Sequence, residues 1–207
     1  EFGDQEDVEL VIHSNLAIGE IYDGVVAKIA AFGAKNIRIS NSNLSDVDKI
    51  ALIDSFDIFV NLSRGEGYSI GPREAMALGK ALVLSEVGPH SDLLNVEGTF
   101  GVRASIRIPA RYPEIDNQVF GFQYGVEIRD SKVALREAFQ YLKQGNNINS
   151  AYLRKKRAAE FAFSALGLDY AATLTPDLLN FKKSNRKCQF SHLPDSCRSV
   201  ARRKLGS

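Results

Sequence analysis

Alternating strand and helix signals over the first hundred residues predict an α/β fold with a Rossmann-like, doubly wound parallel sheet and flanking helices. Three observations carry that prediction. Short apolar, β-prone runs recur at residues 8–13, 37–40, 58–62 and 81–84. Stretches of helical period separate them. A glycine-rich turn follows the third run, at the carboxyl end of a strand, where ligands bind in sheets of this kind.

The elements can be justified in order. Residues 8–13 read as the first strand. Tyr22, Val25, Val26 and Ile29 fall on one helical face, and Gly33 follows as a stop signal. Residues 37–40 make a short second strand. Ser45 with Asp48 three residues later has the spacing of a capping box, opening a helix expected to turn Val47, Ile50 and Ala51 inward. After the 81–84 strand, Leu135, Ala138, Phe139 and Leu142 mark another helix, and a longer helical stretch is expected from about 149 to 166. Residues 101–129 carry Arg103, Arg107 and Arg111 among Tyr112, Phe120, Phe122, Pro109 and Pro113. They read as a loop with a β-hairpin, the alternative being an insertion that touches an acceptor or another domain.

The most informative stretch runs from residue 57 to 94. After its first strand, Gly65 and Gly67 let the backbone approach a ligand closely, and Gly71-Pro72 opens a helix, where proline is tolerated in the first turn. Free N–H groups at that helix start, reinforced by the helix dipole, suit a phosphate or pyrophosphate. Glu66 lies in the loop and Glu74 follows on the helix. Carboxylates repel phosphates, so two glutamates beside such a loop are expected to accept hydrogen bonds from sugar hydroxyls on either side of the phosphates. A diphosphate with a sugar at each end is a nucleotide sugar. The plainer readings are an acidic loop residue for Glu66 and a dipole-favoured helix residue for Glu74.

This segment resembles the retaining glycosyltransferases of the GT-B fold, notably the glycogen-synthase-like and mannosyltransferase-like group. The matching residues are Ser63, Arg64, Glu66, Gly67, Tyr68, Glu74, Ala75, Met76, Ala77 and Gly79, with Asp92 where a trailing acidic residue is expected. The likeness covers about residues 8–100 well and 120–180 loosely. Ser69 stands where the family usually has glycine, Lys80-Ala81 replaces Thr-Pro, and Pro89 replaces a second glycine. The resemblance implies a donor-binding domain over residues 1–181, followed by a basic tail over 182–207. An opening strand and an N-terminal acceptor-binding domain would lie outside this sequence. It implies Glu66 near the reacting carbon of the donor sugar and Glu74 on the ribose hydroxyls. Arg64, Gly67, Tyr68, Ser69 and Ile70 would meet the diphosphate and sugar. Ser40, in the polar turn 40–43, would border the nucleotide base, although a plain polar turn fits as well. Val126, Ile128 and Asp130 would be the strand and acidic residue before the family's penultimate helix.

The activity so implied is transfer of a sugar from a UDP- or GDP-linked donor to a carbohydrate or lipid-linked acceptor, without cofactor or metal. Preorganised dipoles would stabilise the departing diphosphate. Two alternatives stay open: a nucleotide-sugar-binding partner that has lost transfer, and an unrelated dinucleotide-binding oxidoreductase. The second would need G-x-G-x-x-G after the first strand, where residues 13–19 read HSNLAIG.

Composition fits a globular body with a core: 207 residues, 44% hydrophobic, formal net charge +1. No apolar run approaches the ~20 residues of a membrane span, and no leader signal is visible, so a cytoplasmic setting is expected. Arg154, Lys155, Lys156 and Arg157 form a basic run, and residues 182–207 hold eight Lys or Arg against one Asp. Peripheral contact with the inner membrane face is one reading; a solvated helix face and a disordered tail are the other. No nucleic-acid partner is expected, because aromatics are not interleaved with those basic residues. Cys188 and Cys197 read as idle thiols. Neither H-E-x-x-H nor a G-x-S-x-G serine is read in the chain, and His90 is expected to be exposed at the head of a helix.

Overall fold

The computed structural model describes residues 1–2, 7–14, 20–112, 115–146, 152–156 and 159. The described residues up to 156 fall within one compact unit, Glu1–Ala158. The cysteines, the 182–207 segment and most of the 149–166 stretch lie outside the described residues. Among the described residues no helix is long and apolar enough to cross a membrane.

The chain is mixed α/β, with parallel strands and flanking helices. Strand β1 (Leu10–His13) leads through α1 (Glu20–Phe32) to β2 (Ile37–Ser40), and α2 (Asp46–Asp54) follows. Then come β3 (Ile58–Asn61), α3 (Ile70–Ala77), β4 (Ala81–Ser85), a 3-10 turn (Gly88–Asp92) and β5 (Thr99–Val102). An antiparallel pair, β6 (Ile106–Tyr112) and β7 (Gln118–Gly125), precedes α4 (Ile128–Lys143). The expected hairpin is therefore present within residues 101–129. The expected strand near Val126 is not: Ile128 already belongs to α4, and residues 126–127 only connect it to β7.

Local signals set the ends of these elements. Gly33 stops α1 in the left-handed conformation, at φ 62°. The Ser45 hydroxyl caps α2 by accepting from the Asp48 N–H at 3.2 Å. The inward face of α2 is not the one expected. Val47 and Ile50 are 75% and 47% exposed, and Ala51 is exposed too, while Ile53 is buried. The side of α2 that carries Ile53 is the covered one, and Lys49 links the helix to α3, its ammonium donating to Glu74 Oε1 at 2.9 Å.

The parallel strands form two sheets rather than one continuous sheet. β1 pairs with β2, Leu10 opposite Ile37 through His13 opposite Ser40. β3, β4 and β5 form the second sheet in that order. β4 is its centre and every residue in it is buried, as expected of a parallel strand covered on both faces. Val83, Val102, Ala134 and Ala138 make the core between this sheet and α4, flanked by Ile58, Phe100, Val126 and Leu135.

Arg154 corrects another expectation. It is fully buried, and its guanidinium donates to the carbonyls of Gly79 (2.7 Å) and Glu97 (3.5 Å). Burial pushes its pKa down from the ordinary value. It is a structural pin at the end of α3, neither a solvated charge nor a membrane contact. Gly98 makes room for it, since a Cβ there would run into the Arg154 guanidinium.

Candidate functional site

The loop from Leu62 to Ser69 leaves the carboxyl end of β3 and enters α3, so it lies where a parallel sheet presents its ligand-binding edge. Asn61, the last residue of β3, organises it twice. Its Oδ1 accepts the Ser63 N–H at 3.1 Å, and its Nδ2 donates to Glu66 Oε1 at 3.3 Å. Glu66 is thereby oriented while remaining partly exposed. The turn 88–92 crowds the same loop: a Cβ on Gly88 would stand 3.3 Å from the Glu66 carbonyl oxygen. A larger residue there would push the two loops apart.

Arg64, Gly67, Tyr68 and Ile70 are exposed along this stretch. The Tyr68 ring carries the guanidinium of Arg73 at 4.3 Å, and Arg73 Nε donates to the Tyr68 carbonyl at 3.0 Å. Arg73 also lies 3.9 Å from Asp92, so the trailing acidic residue meets a cation from α3. Glu74 sits within the same helix with its side chain partly exposed. Its Oε1 is engaged by Lys49, whose pKa is raised chiefly by that hydrogen bond.

Ser69 differs from the rest. It precedes α3 in the left-handed conformation, φ 61° and ψ 64°, which glycine adopts without cost. Its side chain is buried, and its Oγ lies 2.6 Å from His90 Nε2. His90 Nδ1 is 2.8 Å from the Ser85 carbonyl, which can only accept, so the proton sits on Nδ1 and Nε2 accepts from the Ser69 hydroxyl. His90 is thus fully buried instead of exposed. Its ring fills the space between the end of β4 and the start of α3.

Residues 67–71 read Gly-Tyr-Ser-Ile-Gly, so the G-x-S-x-G spacing that the sequence reading missed is in fact present. The geometry resembles an activated serine, with its base oriented by a carbonyl. Both side chains are enclosed, however, and seven residues separate Ser69 from the end of β3. The pair therefore ties the loop to the sheet rather than presenting a nucleophile at a sharp strand-to-helix turn.

Ser40 lies at the carboxyl end of the other sheet. Its Oγ is 3.3 Å from His13 Nδ1 and 3.2 Å from Ser42 Oγ, and its carbonyl accepts from the Ser14 N–H. The structure thus groups Arg64 to Ile70 on one loop and ties Glu74 to α2. It leaves Ser40 on a separate sheet. Sequence reasoning missed Asn61, Lys49 and Arg73, and it misread His90 as exposed. Only Asn61 carried a local signal, as a polar residue closing an apolar strand.

No family model matches the chain, and no curated protein does.

Proposed function

We propose that the chain is the nucleotide-sugar-binding, Rossmann-like half of a retaining GT-B glycosyltransferase, its two parallel sheets belonging to one doubly wound design. The observation that carries this reading is the strand–loop–helix at residues 58–77. A partly exposed carboxylate, Glu66, is braced by Asn61 beside the amino end of a helix. The exposed backbone near Gly67 and the first N–H groups of α3 suit the diphosphate of the donor. Glu66 addresses the donor sugar, and Glu74 accepts from ribose hydroxyls in exchange for its bond to Lys49. The residues at the helix start then stabilise the negative charge that develops on the departing diphosphate. The full enzyme transfers the sugar to a carbohydrate or lipid-linked hydroxyl.

Titrating the protein with UDP and GDP tests the site. Glu74→Ala should weaken the preferred nucleotide roughly ten- to hundredfold, about 1.5–3 kcal/mol. Lys49→Ala, which frees the carboxylate, should not weaken it. Equal affinity of wild type and Glu74→Ala would remove Glu74 from the site. Transfer itself is tested with the full-length enzyme and several donors, where Glu66→Ala should abolish turnover.

One observation favours a second reading, a nucleotide-sugar-binding partner that has lost transfer. Ser69 occupies the glycine position of the resembling loop and commits its side chain to buried His90. Full-length wild type and Glu66→Ala that are equally inert across donors, while both still bind nucleotide, would select it.

A further inference from the structure

The β6–β7 pair presents one consistently exposed face. Directly opposed residues share a face, and the register sets Arg107 opposite Tyr124, Pro109 opposite Phe122 and Arg111 opposite Val119. All six are exposed; on the other face Ile108, Ala110 and Gln123 are partly covered and Gly125 is buried, while Ile106 and Gln118 at its ends are exposed. Phe122 and Tyr124 keep 48% and 43% of their surface accessible.

Two features show that this face is more than a solvated ribbon. The Arg107 guanidinium stacks on the Phe122 ring, 3.4 Å from its centroid. Stacking on a ring restrains the plane of a guanidinium, which is one way arginine is preorganised for an oxyanion. Furthermore, neither β6 nor β7 contains an Asp or Glu, and Arg111 donates one N–H to a neutral partner, the Asn117 carbonyl, at 3.2 Å.

The face is also continuous with the candidate site. The Tyr124 N–H donates to the Arg64 carbonyl at 3.0 Å, which joins the base of β7 to the loop that carries Glu66. From there the surface runs outward, Tyr124 and Arg107 first and Arg111 last. Four residues of strand place the two arginines about 13 Å apart.

We infer that this face holds an anionic carbohydrate chain whose end reaches the Glu66 loop. Aromatic rings and the stacked guanidinium receive the apolar faces of sugar rings, and the two arginines pair with carboxylate or phosphate groups on the chain. A single-stranded nucleic acid carries a phosphate on every nucleotide and is held by a denser row of cations. Two arginines at this spacing suit a chain with less frequent charge. The inference rests on the proposed glycosyltransferase function, because it makes the bound chain the acceptor.

The test uses the full chain with three probes: a hyaluronan hexasaccharide, which carries one carboxylate per disaccharide, neutral dextran oligosaccharide and oligo(dT). UDP and GDP titrations run in parallel on the same proteins. The expected result is binding of the hyaluronan hexasaccharide over dextran and oligo(dT). Arg107→Gln should weaken it about tenfold or more, through loss of a charge-assisted contact. Phe122→Ser, which removes the stacking surface, should weaken it as well, and neither change should alter nucleotide affinity. No hyaluronan binding, or binding indifferent to both substitutions, overturns the inference. Equal or tighter binding of oligo(dT) with the same Arg107 dependence also overturns it, in favour of a nucleic-acid surface. Absence of nucleotide binding alone, with Arg107-dependent hyaluronan binding intact, would sink the nucleotide-sugar reading and leave this face standing as a carbohydrate surface.

Discussion

The two halves of the described chain are built from similar sequence and packed very differently. From β1 to α2 the apolar residues sit at sensible intervals, yet among the buried hydrophobic residues only Ile53 comes from this half. Phe32 is 84% exposed, and Leu10, Ile21, Val26 and Val47 are exposed as well. From β3 to α4 the same kind of residues are enclosed: Leu82, Val83 and Leu84 on β4, Met76 on α3, Val102 on β5 and Ala138 on α4. Two ion pairs connect the halves, Lys49 with Glu74 and Lys80 with Asp54, the Lys80 ammonium also donating to the Asp54 carbonyl at 2.6 Å. Periodicity marks which residues can be buried, but burial itself depends on a covering layer.

That contrast can be broken most directly by truncation. Leu82→Ala in β4 should cost about 2–5 kcal/mol, from lost transfer energy and the cavity left behind. Ile50→Ala on α2 should fall within about 0.5 kcal/mol of wild type. Urea unfolding of the two variants measures both, and comparable losses would mean that the first half has an apolar layer of its own.

The Ser69–His90 pair sharpens the comparison at the site. His90→Ala leaves the Ser69 hydroxyl buried without its acceptor, at a cost of about 1–3 kcal/mol beyond the lost ring packing. Ser69→Gly should cost less. It leaves buried His90 Nε2 without its donor, about 1–3 kcal/mol, but this is offset by relief of the left-handed conformation, about 1–2 kcal/mol, and no ring packing is lost. If both variants unfold at the same urea concentration, the serine is not held in the way its geometry indicates.

The smallest effect belongs to the junction between the halves. Lys49 and Glu74 are partly exposed, so Lys49→Ala should lower stability by no more than about 1 kcal/mol. The loss should shrink further in high salt. A salt-independent loss of several kcal/mol would show that α2 is packed on α3 by more than charge.

Much of the candidate loop was legible in the sequence, because glycine, proline and strand-forming residues act over a few positions. Gly33, the Ser45 cap and the β3–loop–α3 order are local consequences of residue type. His90 was misread because exposure is not local. Its partners, Ser69 and Ser85, come from other elements, and the ring becomes buried only when α3 and the 88–92 turn close over the end of β4. Arg154 was misread for the same reason. Its neighbours in sequence are basic, but its hydrogen-bond partners lie 75 and 57 positions away, at Gly79 and Glu97.

The sequence by itself determined the order of strands and helices from β1 to β4, where the loop opens and which acids lie on it and on α3. Backbone preference and capping are settled within a turn or a strand. Only the tertiary structure decided that the parallel strands divide between two sheets, that α2 faces α3 with Lys49, and that the hairpin turns its arginine-and-aromatic face to solvent. Those outcomes depend on which distant surfaces meet, and contacts between residues far apart in the chain leave no periodic trace in it.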